Sequence, residues 1–214
     1  MLGSDPQTCN ETIREVNLAT FRSTGSDRGA SKITEAAWVL VRSILFERWP
    51  GKCYALKRSL LRLFGAKVGK GVVIKPGVKI TFPWRLDLGN YVWLGEDSWL
   101  LNLALITIED HVCISQRAML CTGNHDYTST QFKTVNKPIH VECGAWIAAQ
   151  AWVGPGVHVG SHAVLTAGSV ASQDLDPYGI YRGNPALKIR QRHISPGGQG
   201  AVAAAANRTG SPTQ

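Results

Sequence analysis

The sequence has no long uncharged apolar run. Its best candidates are residues 36–46, broken by Arg42, and residues 99–106, short and interrupted by Asn102. A membrane span needs about 20 such residues, so none is expected. The N-terminal MLGSDPQTCNETIREV has no basic flank followed by an apolar stretch, which argues against a secretory leader. Cysteines are few: Cys9, Cys53, Cys113, Cys121 and Cys143, an odd number with no CxxC spacing. That pattern excludes a disulfide framework or zinc knuckle and suits buried free thiols in a reducing cytoplasm. Charged residues make up only 18% of the 214-residue chain against 44% hydrophobic, which excludes a wholly disordered protein. The 22 glycines lack a collagen period.

What charge there is lies in one place. Residues 28–70 hold ten Lys and Arg against Glu35 and Glu47, which alone equals the net +8 of the chain. Within this segment Ala37, Leu40, Val41, Ile44 and Leu45 recur at helical spacing, as do Leu56, Leu60, Leu63 and Phe64. Pro50 and Gly51 separate the two stretches, and Gly65 can end the second. Two basic amphipathic helices are predicted over 31–66. They either cap a larger core with solvated Lys and Arg, or dock on an anionic membrane surface. No nucleic-acid reader motif accompanies the charge, and no nucleic-acid partner is expected.

From Val68 the sequence has a period of six. Hexads open at Val68, Ile74, Leu88, Leu94, Leu100, Ile108, Ile114, Val141, Ile147, Val153, Val159 and Leu165. Five continue with glycine: Gly69, Gly89, Gly95, Gly154 and Gly160. The fifth position is Val, Ser or Ala in all twelve. Ala, Val, Ser and Thr supply 66 of the 214 residues, so chance agreement at these starts is roughly one in a million.

A hexad is one short strand plus a turn, and three make a triangular coil. The aliphatic opener points inward, the small fifth residue rounds the corner, and glycine supplies turn conformations. One coil cannot bury its interior, but a stack can. A period of six fits neither ordinary helices nor two-residue strand alternation. A parallel β-helix over 67–175 is therefore predicted, with a short insertion at 81–87 and a long excursion at 121–139. Long loops thrown from a solenoid tend to carry function. Residues 176–194 form an extension. Residues 1–30 and the tail 195–214 are expected to be disordered.

The stretches LLRLFGAKVGKGVVIKPGVKI, FPWRLDLGNYVWLGE, CTGNHDYTS, AWIAAQAWVGPGV and GNPALKIRQR, spread over residues 38–192, resemble the hexapeptide-repeat acyltransferases, and among them the colanic-acid-type sugar O-acetyltransferases. The resemblance implies a left-handed helix, against the usual crossover preference. It also implies a homotrimer with active sites between subunits, acetyl-CoA as donor, and a sugar hydroxyl of a polysaccharide precursor as acceptor. A cytoplasmic location follows, with contact at the inner membrane face through the basic helices.

Acetyl transfer from a thioester to an alcohol needs a base and positioning groups, but no metal; imidazole suits the base role near neutral pH. His125, in the excursion, stands where the family's catalytic histidine belongs. His111, His140, His158, His162 and His193 read as surface or packing residues. Asn102 matches a family asparagine that contacts the acceptor or assists the histidine, or else satisfies a buried corner. Asp126 either orients the imidazole or forms an Asx turn. The resemblance places the pantetheine arm against Ala148, Ala149, Ala167 and Gly168, with Trp146 as a wall or as packing. It places the coenzyme phosphates near Arg190 and Arg192, which suit phosphate geometry but could also form a solvated tail. Two departures weaken the phosphate side: Gln173 stands where a lysine is common, and Leu187 separates GNPA from Lys188. Two competing readings remain. One is a zinc-dependent carbonic anhydrase on the same helix, disfavoured because His158 and His162 lie four rather than five apart. The other is a non-catalytic binding solenoid, disfavoured by the NHD loop.

Overall fold

The computed structural model describes residues 16, 18–20, 28–49 and 51–195. The expected disorder of 1–30 and 195–214 falls largely outside these residues, as do Cys9 and Pro50.

Each hexad forms a strand of two or three residues, and the strands stack in three parallel sheets that are the faces of a prism. The first face stacks Lys67–Val68, Leu86–Leu88, Ile106–Ile108, Ile139–Val141 and His158–Val159. The second stacks Val73–Ile74, Trp93–Leu94, Cys113–Ile114, Trp146–Ile147, Val164–Leu165 and Gly179–Arg182. The third stacks Lys79–Ile80, Trp99–Leu101, Met119–Cys121, Trp152–Val153 and Val170–Ala171. The chain thus makes five complete coils and part of a sixth, the left-handed β-helix expected. Hexad openers face one another across coils, as in Ile74 opposite Leu94 and Ile147 opposite Leu165. All openers but Val68, at the open end, are buried. All fifth-position residues but Ala104 are buried too. An antiparallel strand, Leu187–Gln191, folds back on Gly179–Arg182 beside the last coil.

Glycine serves two distinct purposes here. The residue that takes positive φ is the fourth of the hexad, as at Gly71 and Gly168 but also at Tyr91, Asp97, His111, Arg117, Gln150 and His162. The second-position glycines have ordinary φ and are required by close approach instead. A Cβ on Gly69 would lie 2.5 Å from the Gly89 backbone, and one on Gly160 would lie 2.6 Å from the Pro177 nitrogen. Coils about 4.8 Å apart leave no room for it.

Helix α1 (Lys32–Val41) starts at Ser31, whose hydroxyl accepts from the Thr34 N–H at 3.1 Å. It runs on as a π-helical stretch, Arg42–Arg48, and helix α2 (Tyr54–Leu63) follows, closed by Gly65 at positive φ. Trp38 is buried between Phe46 and Phe64, and its indole donates to the Ile80 carbonyl at 3.0 Å. The helices therefore cover the open end of the first coil.

The first coil has no coil before it, so its outward carbonyls form an unpaired edge. The basic residues satisfy that edge. Lys57 is fully buried and donates to Ile74 and Lys75, each at 3.3 Å; Arg58 donates to Val72 at 2.9 Å; Arg62 donates to Val68 at 2.6 Å. The sequence suggests cations pointing to solvent; these three and Arg42, four of the ten, point toward the β-helix instead. Their concentration in 28–70 is explained in good part by this edge.

All departures from period six fall on one edge, between the third and first faces. The insertion at 81–85 lies there, followed by the eight-residue step from Leu100 to Ile108, and then the 121–139 excursion. The excursion holds an antiparallel hairpin, Gly123–His125 with Thr134–Asn136.

Candidate active site

His125 ends the first strand of the hairpin and is half-buried. Its ring stacks on Phe132, 4.2 Å between centroids and 11° between planes. Nδ1 lies 2.9 Å from the Phe132 carbonyl oxygen. A carbonyl can only accept, so Nδ1 carries the proton of the neutral ring and Nε2 carries the lone pair. Phe132 holds positive φ at 51°, which turns its carbonyl toward the ring. The Asn124 side chain accepts the His125 backbone N–H at 2.8 Å, tightening the same turn.

The imidazole opens on a cavity of about 390 Å³ lined by Asn124, Asp126, Val135, Lys137, Trp152, Pro155 and Ser172 among others. This cavity sits on the edge between the third and first faces, at the fourth and fifth coils. It combines a base, a broad indole, a cation and small polar groups, a composition suited to a polar ring-shaped molecule.

The structure gives Asp126 the turn role. Its Oδ1 accepts from the Thr128 N–H at 3.0 Å and the Thr128 hydroxyl at 2.6 Å, an Asx turn. These bonds hold its carboxyl below the usual carboxylate range. The Phe132 carbonyl is a group that meets the His125 ring at Nδ1.

Asn102 is fully buried, and its amide is committed within the protein. Oδ1 accepts from the N–H groups of Thr81 and Phe82 at 3.0 and 2.9 Å; Nδ2 donates to the carbonyls of Phe82 and Arg85 at 2.6 and 3.0 Å. All four hydrogen-bonding positions are used. The asparagine closes the 81–85 insertion, one layer beneath the excursion.

The residues expected to hold the donor lie elsewhere on the prism. Ala148, Ala149, Ala167 and Gly168 form the edge between the second and third faces; the Gly168 N–H bonds the Ala149 carbonyl at 2.9 Å, and the space over Gly168 is open. Trp146 stands exposed on the second face, its indole donating to the Ser115 hydroxyl at 2.9 Å. Arg190 is exposed on the last strand. Arg192 donates to the carbonyls of Gly144 and His162 at 3.0 and 2.9 Å, which clamps the edge between the first and second faces. One nitrogen of its guanidinium, Nη1, is thus engaged with these two carbonyls. Within the chain His125 and Asp126 meet, while the residues expected to hold the donor occupy another face and another edge.

His140 and His158 stack 5.0 Å apart on the first face, each bonded to a glutamate, Glu109 and Glu142, at 2.8 and 2.9 Å. His162 packs on Tyr178 at a corner, 4.8 Å between centroids. Among the described residues no group of three His, Cys, Asp or Glu could hold a metal ion. Sequence reasoning missed Phe132, Lys137 and Trp152; only Trp152, in AWVGPG, carried a signal, as an aromatic at an outward hexad position.

The comparisons with known proteins agree with this architecture. A protein named as a colanic acid biosynthesis acetyltransferase, WcaF of Escherichia coli K12, is 43% identical over 176 residues, which span 82% of this chain and 97% of its own length. The galactoside O-acetyltransferase of the same organism is 25% identical over 138 residues, 63% of this chain and 68% of its own. Among solved structures, the hexapeptide-repeat acetyltransferase VCA0836 of Vibrio cholerae O1 biovar eltor, complexed with acetyl coenzyme A, superposes with a TM-score of 0.69. It is 25% identical, and the match covers 81% of this chain and 93% of that one. No protein-family model matches the chain. A β-helix of hexads, a histidine on its excursion and 43% identity across most of the chain place the protein in the hexapeptide-repeat acyltransferase family.

Proposed function

We propose that the protein transfers an acetyl group from acetyl-CoA to a hydroxyl of a saccharide, with His125 as general base. One observation carries this reading: Nδ1 of His125 is tied to the Phe132 carbonyl at 2.9 Å, so that Nε2 is the basic nitrogen at the cavity. Nε2 takes the acceptor's hydroxyl proton as the oxygen attacks the thioester carbonyl. The carbon–sulfur bond then breaks, and the ring returns the proton to the departing sulfur. Trp152 offers a face for a sugar ring, and Asn124 and Ser172 offer hydrogen-bonding groups. The names of the relatives, which include a galactoside O-acetyltransferase and a colanic acid biosynthesis acetyltransferase, support a saccharide acceptor.

The spread of the donor residues supports a homotrimer. The edge of Ala148, Ala149, Ala167 and Gly168, with Trp146 and Arg190 beside it, would meet His125 only when contributed by a neighbouring subunit. Each of three seams then holds one site, the small side chains letting the pantetheine arm lie close to the backbone. The test is a screen of mono- and disaccharides with acetyl-CoA for release of free thiol. Acceptor-dependent thiol release that disappears in His125→Ala is expected; release that is identical without any saccharide would refute the acceptor class.

A further inference from the structure

The helical cap buries Trp38, Phe46 and Leu61 against the β-helix, yet its outer side is also rich in apolar residues. Its cations face the β-helix: Arg58, Arg62 and the buried Lys57 donate to carbonyls of the first coil. Leu61 is buried and Val41, Leu45 and Leu60 pack on the core, but a second set of large aliphatic side chains faces out. Ile33 is 83% exposed and Leu63 77%, and Leu40, Ile44 and Leu56 are exposed with them. Positions 33, 40 and 44 are spaced seven and four apart and form one helical stripe, with exposed Ala36 and Ala37 completing it. Leu56 and Leu63, seven apart, form a second stripe on α2. The opposite side of α1 buries Trp38, so beyond its first turn this helix carries apolar side chains on both its covered and its uncovered sides. Such a helix is ordinarily either inside a core or against lipid.

The rim of this face is positive. Lys32 adjoins Ile33, while Arg48 and Lys52 flank the exposed Trp49. None of the three cations has an ion pair among the described residues. The two acidic residues of the segment are already engaged, Glu35 with Arg28 and Glu47 with Arg42, each at 2.9 Å. An aliphatic stripe, an indole beside it and unpaired cations around it are the parts of a helix that lies in a bilayer interface.

We propose that the outward face of α1, the following π-helical stretch and α2 docks on an anionic membrane surface. Ile33, Leu40, Ile44, Leu56 and Leu63 enter the acyl boundary, Trp49 sits at headgroup level, and Lys32, Arg48 and Lys52 meet lipid phosphates. The docking needs no acetyl transfer and stands apart from the proposed reaction. It would bring the prism to an acceptor carried on a lipid.

The experiment is flotation of the full-length protein with vesicles of phosphatidylglycerol mixed with phosphatidylcholine, and with phosphatidylcholine alone. Wild-type protein is expected to float with the anionic vesicles and far less with the neutral ones. The triple variant Lys32→Ala/Arg48→Ala/Lys52→Ala is expected to lose about 100-fold in partitioning, on the basis of about fivefold per cation near such a surface. The variant Ile33→Ser/Leu40→Ser/Leu63→Ser is expected to stay at the bottom of the gradient. Both variants should keep the wild-type melting temperature, because the replaced side chains are exposed, and the wild-type rate on a soluble acceptor. Wild-type protein that fails to float with either vesicle overturns the proposal, as does a serine variant that floats as well as wild type. Concentration-dependent self-association abolished by the serine variant, without flotation, would assign the face to a second copy of the chain and also overturn it.

Discussion

Replacing Asn102 by alanine separates two roles that the sequence left open. The amide makes four hydrogen bonds, all to the 81–85 insertion. Two of its partners have a second bond: the Thr81 N–H also reaches the Leu100 carbonyl at 3.2 Å, and the Phe82 carbonyl also accepts from Arg85 at 3.0 Å. The loss therefore concentrates on the buried Phe82 N–H and on the tie to the Arg85 carbonyl. One buried donor left unmet costs about 1–3 kcal/mol and one ordinary bond about 0.5–1.5, so the variant should lose about 2–4 kcal/mol. For a chain of this size that lowers the melting temperature by about 4–16 °C. Thermal denaturation followed by circular dichroism reads this directly. Turnover measured well below both melting points should fall only a few-fold, through loosening of the excursion above. An unchanged melting temperature with kcat/KM down about 100-fold would refute the reasoning and return Asn102 to the acceptor.

The helical cap and the excursion turn give further tests. Arg58→Met should cost about 1.5–3 kcal/mol in urea unfolding, because it removes a charged donor from the Val72 carbonyl. Burial lowers the pKa of Lys57 below 10.5, so the unfolded chain binds that proton more tightly and stability should rise as pH climbs toward that value. Unfolding of Lys57→Met across the same range should lack that rise. The Asp126 carboxyl is lowered by its bonds to Thr128, so its support of the turn is present above the ordinary carboxyl range and is lost as pH falls through the lowered value. Asp126→Ala should remove this acid dependence while costing only a few-fold in turnover, since the Asp126 Oδ1 is spent on Thr128 and the Phe132 carbonyl meets Nδ1 of the imidazole.

The fold was legible because a coil repeats one physical demand twelve times. Every corner needs a small residue and every strand an inward aliphatic, so Ile74, Leu94, Ile114, Ile147 and Leu165 announce the stack. The demand lapses at Val68, where the stack ends, and at Ala104, where the corner is longer, and burial lapses there too. The histidine was legible because the excursion breaks the period around it. What the period cannot carry is direction. Lys57, Arg58 and Arg62 look like a solvated face until the first coil is seen to leave carbonyls without partners. Nor does the period tell that Arg192, just past the last strand, sets its Nη1 against the Gly144 and His162 carbonyls. The neighbours of His125 were hidden for a similar reason. Phe132 reaches it through the local turn of the hairpin, whereas Trp152 and Ser172 reach it by stacking of later coils.

The proposed transfer depends on one nitrogen, Nε2 of His125, accepting the proton of the attacking hydroxyl. The most direct measurement is kcat for His125→Ala, paired with the dissociation constant for acetyl-CoA and with a melting curve. The loss expected is ~10²–10⁴-fold in kcat, with donor affinity and melting temperature near those of the wild type. A variant that turns over at the wild-type rate would contradict it.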